Sequence, residues 1–559
     1  MIRFRFLLIA VLLLAFQPAT VTAQIACGAR GMVSSGHPLA TQAGLDVLKQ
    51  GGNAVDAAVA VGLTLGVVDA HNSGIGGGCF MLIRLANGNI VAIDGRETAP
   101  AAATPGMFLR NGVADTALSQ AGPLASGVPG EMAAFDHAVR NYGTRTLSDL
   151  ILPAAVLADD GFELDAFYLG RMESVRSDFK RFEASRAIFS PQDRTLKPGD
   201  RFRQADLAAT YRNIARHGAG WFYRGEFAAA TERWMKANGG ILCSNDFAAY
   251  RIVLREPVKT KYRGFQVVSF PPPSSGGVHL LQMLNVLERF PLAKMEEADR
   301  LHVVAETMKL AFADRAYWLG DPAFANVPRG LISKRYAASL AKRVAKDRAT
   351  AVLSHGQPPG ATRDFFEKHT THFSVADAQG NWVACTATIN TTFGSKVVIP
   401  GTGVVMNNQM DDFSLQPGVA NHFGLVGGDA NAVAPGKRPL SSMCPTIVLR
   451  RGQPVIATGA AGGPKIISAV LLELIGLIDP GLPPDQAIGA PRIHHQWSPE
   501  ELLVEKSLGA DLRLSLAGRG HQVKTMNASS VAHLITRDPD GKGFLGVADP
   551  RSRGAAAGW

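Results

Sequence analysis

Two-thirds of the way along a 559-residue chain stands Thr370-Thr371-His372-Phe373-Ser374, and twenty residues on comes Asn390-Thr391-Thr392-Phe393-Gly394. A threonine inside a chain is a poor nucleophile. One that becomes a chain terminus carries its own base, because a free α-amine with pKa near ~8 can take the hydroxyl proton. Whether the chain breaks between His369 and Thr370 therefore decides what chemistry is open to it. Further on, Gly459-Ala460-Ala461-Gly462-Gly463 ends a strand pattern just before a helix pattern. Backbone N–H groups in such a place can converge on a developing oxyanion. The pairing of these features suits cleavage of an amide.

Other stretches invite chemistry and read better as structure. Gly74 to Gly78 has no Lys after its glycines and lies between a helix and a strand, so a tight turn fits better than a phosphate cradle. Ser274-Ser275-Gly276-Gly277 does sit between strand and helix but lacks the GxSxG order, and reads as a helix N-cap. His369 with His372, and His494 with His495, tempt a metal reading. Adjacent histidines in a strand point to opposite faces, and no carboxylate-rich segment lies nearby; no metal and no cofactor are expected.

The elements that must position these residues follow from periodicity. Residues 38–65 read as two helices divided by Gly51-Gly52-Asn53, and 80–84 with 90–94 as a hairpin around Asn87-Gly88. Helical patterns fill 130–158, 204–237 and 301–318. Residues 267–270 read as a strand leading into a helix. Residues 371–377 and 382–388 pair around Gly380-Asn381, and 446–450 with 455–459 form another hairpin, followed by a helix over 466–478. The polar stretch 346–368 reads as exposed. Hairpins in both halves, flanked by helices, predict an α+β arrangement of layered antiparallel sheets rather than a doubly wound parallel one.

Composition narrows the setting. With 46% hydrophobic and 19% charged residues the chain has ample core. Arg3 and Arg5, the apolar run 7–16 and the small residues Val21-Thr22-Ala23 read as a secretory signal over 1–23, placing the protein outside the cytoplasm, secreted or periplasmic. The run is too short for a stable membrane span. A lipid anchor at Cys27 is a weaker alternative, since Gln24 stands where an aliphatic residue is wanted. The five cysteines (Cys27, Cys79, Cys243, Cys385, Cys444) are odd in number and never CxxC, which speaks against a zinc site or a disulfide framework. Most are expected to be small buried residues. The net charge of +10 is spread out with no basic–aromatic run, so nucleic acid is not an expected partner. A mildly positive surface favours a small anionic substrate.

Taken together, Thr370 to Ser374, Asn390 to Gly394, Asn407-Asn408-Gln409-Met410-Asp411-Asp412-Phe413 and Lys437-Arg438-Pro439-Leu440-Ser441-Ser442-Met443 resemble the small subunit of the γ-glutamyltransferases, also called glutathione hydrolases. Arg96-Glu97-Thr98-Ala99-Pro100 and Pro271 to Gly277 resemble the large subunit. The similarity runs from about residue 30 to Pro550. It implies an N-terminal-nucleophile hydrolase: a four-layer αββα sandwich, built jointly by two fragments of one self-cutting precursor. The fragments would be 24–369 and 370–559, one intertwined globular unit forming a heterodimer.

The resemblance implies a role for each matching residue. Thr370 is nucleophile and its amine the base, with autocleavage between His369 and Thr370. Thr388 supports the nucleophile, and Gly462 and Gly463 form the oxyanion pair. Arg96, with Ser441 and Ser442, holds the substrate α-carboxylate; Asp412, with Asn390 and Gln409, holds the α-ammonium. Two departures stand out. Where the family's lid loop carries a Tyr able to bond the substrate-binding Arg, this chain has Phe423 within 417–433, which covers a pocket but donates nothing. Cys79 stands where a small residue is usual.

The implied activity is transfer of a γ-glutamyl group from glutathione or a similar compound, through a Thr370 ester, to water or to an amino-acid or dipeptide amine. Two rivals share the motifs. One is an acylase on the same scaffold, acting on cephalosporin side chains, glutaryl amides or poly-γ-glutamate. The other is an exported protein that binds such peptides without cutting them.

Overall fold

The structure, a computed structural model, describes residues 23–191, 195–359, 371–416, 419, 421–425 and 429–559. His369, Thr370 and the expected leader up to residue 22 lie outside the described residues. Fourteen strands matter here. In chain order they are β1 (Gln24–Gly28), β2 (Gly31–Ser35), β3 (Gly78–Arg84), β4 (Ile90–Gly95), β5 (Val253–Arg255), β6 (Val258–Tyr262) and β7 (Phe265–Ser269). Then follow β8 (Thr371–Asp377), β9 (Trp382–Thr388), β10 (Thr446–Arg450), β11 (Gln453–Ala461), β12 (Val531–Arg537), β13 (Phe544–Ala548) and β14 (Ala555–Gly558). The helices that cover them are α1 (Pro38–Lys49), α2 (Ala54–Val68), α3 (Glu131–Tyr142), α4 (Leu147–Asp160), α5 (Ser275–Leu287), α6 (Glu297–Trp318) and α7 (Lys465–Ile478).

Two seven-stranded antiparallel sheets form. One runs β14-β2-β8-β9-β3-β4-β5 and the other β1-β13-β12-β11-β10-β7-β6. The strand period of two builds the layers. In β3, Cys79, Met81 and Ile83 join the core with α1 to α4, while Phe80 and Leu82 turn the other way, towards the second sheet. Phe80 stacks there on Phe270, ring centroids 4.2 Å apart. The second sheet turns Val267, Val448, Ile456 and Leu534 outwards to α5, α6 and α7. Three apolar interfaces between four layers make the expected αββα sandwich. Every residue of α2 is buried, as its Ala/Val composition on all sides demands. Asn53 caps that helix through a reciprocal box with Asp56.

Each sheet mixes strands from before and after residue 370. β1, β6 and β7 lie in one sheet with β10 to β13, and β2 to β5 in the other with β8, β9 and β14. The loop 346–359 is largely exposed, as expected, but it is anchored at a few points. Val352 is buried, Lys309 Nζ donates to Thr350 O at 2.7 Å, and Trp497 Nε1 donates to Val352 O at 2.6 Å. Its polar sequence hides these anchors because their partners lie on α6 and near the C-terminal end. No helix among the described residues is long and apolar enough to cross a membrane. Of the cysteines, Cys79, Cys385 and Cys444 are buried, Cys243 is half-buried and Cys27 is exposed.

Candidate active site

The described chain resumes at Thr371, the first residue of β8, paired with Ala387 on β9. Thr388 follows Ala387 and is wholly buried; its hydroxyl accepts from Asn390 N at 2.8 Å. That bond uses an oxygen lone pair and leaves the hydroxyl proton for a further acceptor. The Gly74–Gly78 segment is a close-packing turn, as expected: a Cβ on Gly77 would fall 1.9 Å from Thr388 O.

Across the sandwich, β11 meets β8 through Gly459, where a Cβ would lie 2.5 Å from the His372 ring. This contact brings the end of β11 beside the start of β8. Gly462 (φ 131°) and Gly463 (φ 69°) then turn the chain into α7 through backbone angles that favour glycine. His372 itself is structural. Its ring nitrogens engage Thr386 Oγ1 and Ser374 Oγ, both at 3.0 Å, and burial holds it neutral. His494 likewise bonds Ser468 and Gln496, and His495 faces Glu500 at 3.4 Å. Among the described residues no group of three or more His, Cys, Asp or Glu could hold a metal ion.

A second cluster gathers Arg96, just past β4, with the turn Gln409–Asp412 and the segment Pro439 to Ser442. All of it is buried. Arg96 Nη2 pairs with Asp412 Oδ2 and donates to Leu440 O at 3.1 Å; Nε donates to Pro439 O at 3.1 Å. Nη1 makes no hydrogen bond to any described residue and lies 3.5 Å from Glu97 Oε2. Gln409 Nε2 donates to Asp412 Oδ2 at 3.1 Å, and Asn390 Nδ2 to Asn408 O at 2.9 Å. The amide oxygens of Asn390 and Gln409 are buried with no hydrogen-bond partner among the described residues.

Ser441 and Ser442 sit where two distant motifs zip together. Ser441 N donates to Pro273 O at 2.7 Å, and Ser275 N to Ser441 O at 2.6 Å. Ser274 caps α5 by accepting from Gly276 N, as expected. Ser441 Oγ accepts from Met443 N, and Ser442 Oγ accepts from Arg315 Nη2 at 2.8 Å.

Two arginines here were invisible as site residues in the sequence. Arg315, on α6, also donates to Ser275 Oγ at 2.8 Å. Burial lowers its guanidinium to about 9, with the Asp412 charge opposing, so it stays charged at neutral pH. Arg438 donates to the carbonyl of Arg96 and, at 3.1 Å, to Tyr250 Oη, fixing the backbone from which Arg96 extends. Behind them, burial outweighs the Arg96 charge and pushes the Glu97 carboxyl up to about 8.

Phe423 stands apart from this cluster. It lines a cavity of about 350 Å³ that also reaches Gly462 and Lys465. Of the expected lid segment, residues 417, 418, 420 and 426–428 lie outside the described residues. A larger cavity of about 520 Å³, between Leu254 to Lys259 and Pro322 to Ile332, holds none of the expected site residues.

The model of the gamma-glutamyltranspeptidase family matches residues 40–559. The chain belongs to the gamma-glutamyltranspeptidase family. It is 47% identical to a glutathione hydrolase proenzyme of Escherichia coli over 94% of this chain and 90% of that one. It is 38% identical to the acylase ACY 1 proenzyme of a Pseudomonas strain, over 92% and 91%. The solved cephalosporin acylase of Bacillus halodurans superposes with TM-score 0.86 at 29% identity, covering 96% of this chain and 97% of that one. The chain is therefore a gamma-glutamyltranspeptidase-type enzyme, a hydrolase or transferase in an N-terminal-nucleophile sandwich.

Proposed function

We propose that the protein is an exported, self-processing γ-glutamyl hydrolase and transferase whose nucleophile is Thr370. In sequence Thr370 directly precedes Thr371, the first residue of β8. Scission after His369 frees an amine beside the hydroxyl on one residue. That amine takes the hydroxyl proton as Oγ attacks the γ-carbonyl carbon. Gly462 and Gly463 N–H groups receive the oxyanion, and Thr388 donates its hydroxyl proton towards the nucleophile. The amine then returns the proton to the leaving nitrogen, and the γ-glutamyl ester is released to water or to an amino acid or dipeptide. The fragments 24–369 and 370–559 stay together as one heterodimer. The relatives named proenzymes support this processing.

The observation that carries the substrate reading is the buried Arg96–Asp412 pair. An α-amino acid bears carboxylate and ammonium on one carbon, so the groups that read them must also be neighbours. Arg96 Nη1 and the hydroxyls of Ser441 and Ser442 offer donors for a carboxylate. Asp412, Asn390 Oδ1 and Gln409 Oε1 offer three acceptors, matching the three N–H bonds of an ammonium.

The deciding experiment is N-terminal sequencing of the smaller band of active protein. A start at Thr-Thr-His-Phe is expected, and active protein with no such species refutes the proposal. The acylase reading has the Bacillus halodurans likeness in its favour. A glutaryl group lacks the ammonium, however, and would leave the buried amide oxygens of Asn390 and Gln409 without the donor that an α-amino acid brings. Turnover of γ-glutamyl over glutaryl p-nitroanilide by at least ~10-fold is expected; the reverse preference would favour the acylase.

A further inference from the structure

The cavity of about 350 Å³ beside Gly462 shares none of its lining with the Arg96–Asp412 cluster. It is walled by Phe423, Gly462, Lys465, Gln496, Glu501 and Leu503, among others. Its size falls at the low end of the ~300–1,000 Å³ usual for small-molecule sites. Its charges are unbalanced. Lys465 opens α7 and is half-buried, yet it forms no ion pair or hydrogen bond with any described residue. The acid in the same cavity, Glu501, is held by Lys524 instead. Desolvation lowers the Lys465 ammonium from its ordinary value, and no neighbouring carboxylate offsets that shift. A partly desolvated cation with no counter-ion is costly to keep, and an anionic ligand relieves that cost. At the first turn of a helix the backbone adds to the attraction for an anion.

We propose that this cavity is the subsite for the amine partner of the reaction, and that Lys465 binds that partner's free carboxylate. The proposal rests on the γ-glutamyl reading above and deepens it. Gly462 lines this cavity, so an ester carbonyl held at Gly462 and Gly463 would place the reacting carbon at its edge. The leaving dipeptide of glutathione, and an amino acid or dipeptide acceptor, each carry one carboxylate a few bonds from that nitrogen. In transfer, the acceptor's neutral amine forms the new C–N bond to the γ-carbonyl carbon as the ester C–O bond breaks. The proton the amine sheds passes through the Thr370 α-amine to the departing Thr370 oxygen. Lys465 touches neither bond; it sets which amines dwell there.

The test uses processed enzyme with γ-glutamyl-p-nitroanilide as donor and compares glycylglycine with glycylglycinamide as acceptors. Wild type is expected to use the acid at least ~10-fold better in acceptor kcat/KM. K465M should bring the two acceptors within about twofold of one another, chiefly through the KM for glycylglycine, and K465R should restore most of the preference. Equal use of acid and amide by wild type overturns the proposal without any variant, as does a preference that survives in K465M. Wild type that releases no nitroanilide at all overturns the γ-glutamyl reading beneath it, and this subsite with it. Release without discrimination overturns the subsite alone.

Discussion

The buried cluster at Arg96 and the cavity at Lys465 handle charge in opposite ways. Around Arg96 the charge is paired and braced: Asp412 pairs with it, the Glu97 carboxyl that burial keeps protonated lies beside it, Arg315 holds Ser442, and Arg438 pins the Arg96 carbonyl. All of this is buried. Around Lys465 one half-buried cation faces an open cavity with no counter-ion among the described residues. Paired buried charge is rigid and discriminates strongly, because any misfit leaves a charge desolvated. A single cation in a half-open cavity is tolerant. The contrast fits a donor side demanding one head group and an acceptor side taking many amines.

The harshest way to break that contrast is to remove what joins the two sites. Thr370→Ala should leave a single uncut chain and lower release of p-nitroanilide by at least ~10⁴-fold, read from a denaturing gel and a rate assay on one preparation. A variant that still splits and still turns over would remove Thr370 from the chemistry of both sites.

Next in size, Arg96→Lys tests the buried side alone. A point charge cannot reproduce the guanidinium fork, and a hydrogen bond to a charged group is worth about 1.5–3 kcal/mol, so donor kcat/KM should fall ~10- to 100-fold, mostly through KM. An unchanged donor KM would take Arg96 out of the donor site.

Arg315→Lys sharpens the contrast further. Losing the bond to Ser442 or to Ser275 should raise donor KM about tenfold and leave acceptor discrimination intact. Loss of acceptor preference in this variant would show that the two sites are not separate.

The smallest effect concerns pH. Glu97 is pushed up to about 8 when folded, from 4.5, by burial. Between those values the unfolded chain has released a proton that the native state keeps. Native stability should therefore fall with rising pH over that window, by at most ~1.4 kcal/mol per unit, and level off above it. Denaturant midpoints of the uncut Thr370→Ala chain, with Glu97 and with Glu97→Gln, from pH 5 to 8 check this: the chain that keeps Glu97 should lose ground as pH rises. Parallel curves would mean that Glu97 is ionised beside Arg96.

How much of this was legible in the sequence depended on how local the signal was. The hairpin of β8 and β9 follows from alternation around Gly380-Asn381 and matches its expected bounds. The α1–α2 break follows from Gly51-Gly52-Asn53, and the N-cap from Ser274. Arg315 and Arg438 were not legible as site residues. In α6, Arg315 reads as a solvated helix charge, and only folding brings it to Ser442, 127 residues away. The anchoring of 346–359 was hidden for the same reason, since Trp497 reaches Val352 across 145 residues. Lys465 gave no signal either: an isolated lysine opening a helix looks like solvent-facing charge until the cavity around it is seen. The residues proposed to bind the donor came from motif resemblance, not from periodicity, because a pocket drawn from β4, two loops and α6 has no sequence period.

The shuffling of early and late strands within each sheet bears on the protein's life history. A break after residue 369 would turn one polymer into two, yet neither piece would own a complete sheet. On the proposed processing, the sheets would form from the intact chain and the bond would part afterwards. Once matured, a molecule that melts would have to find its other half by diffusion, through pieces whose strand edges are bare and sticky. Its lifetime would then be set by how slowly it first comes undone, not by any balance between folded and unfolded forms.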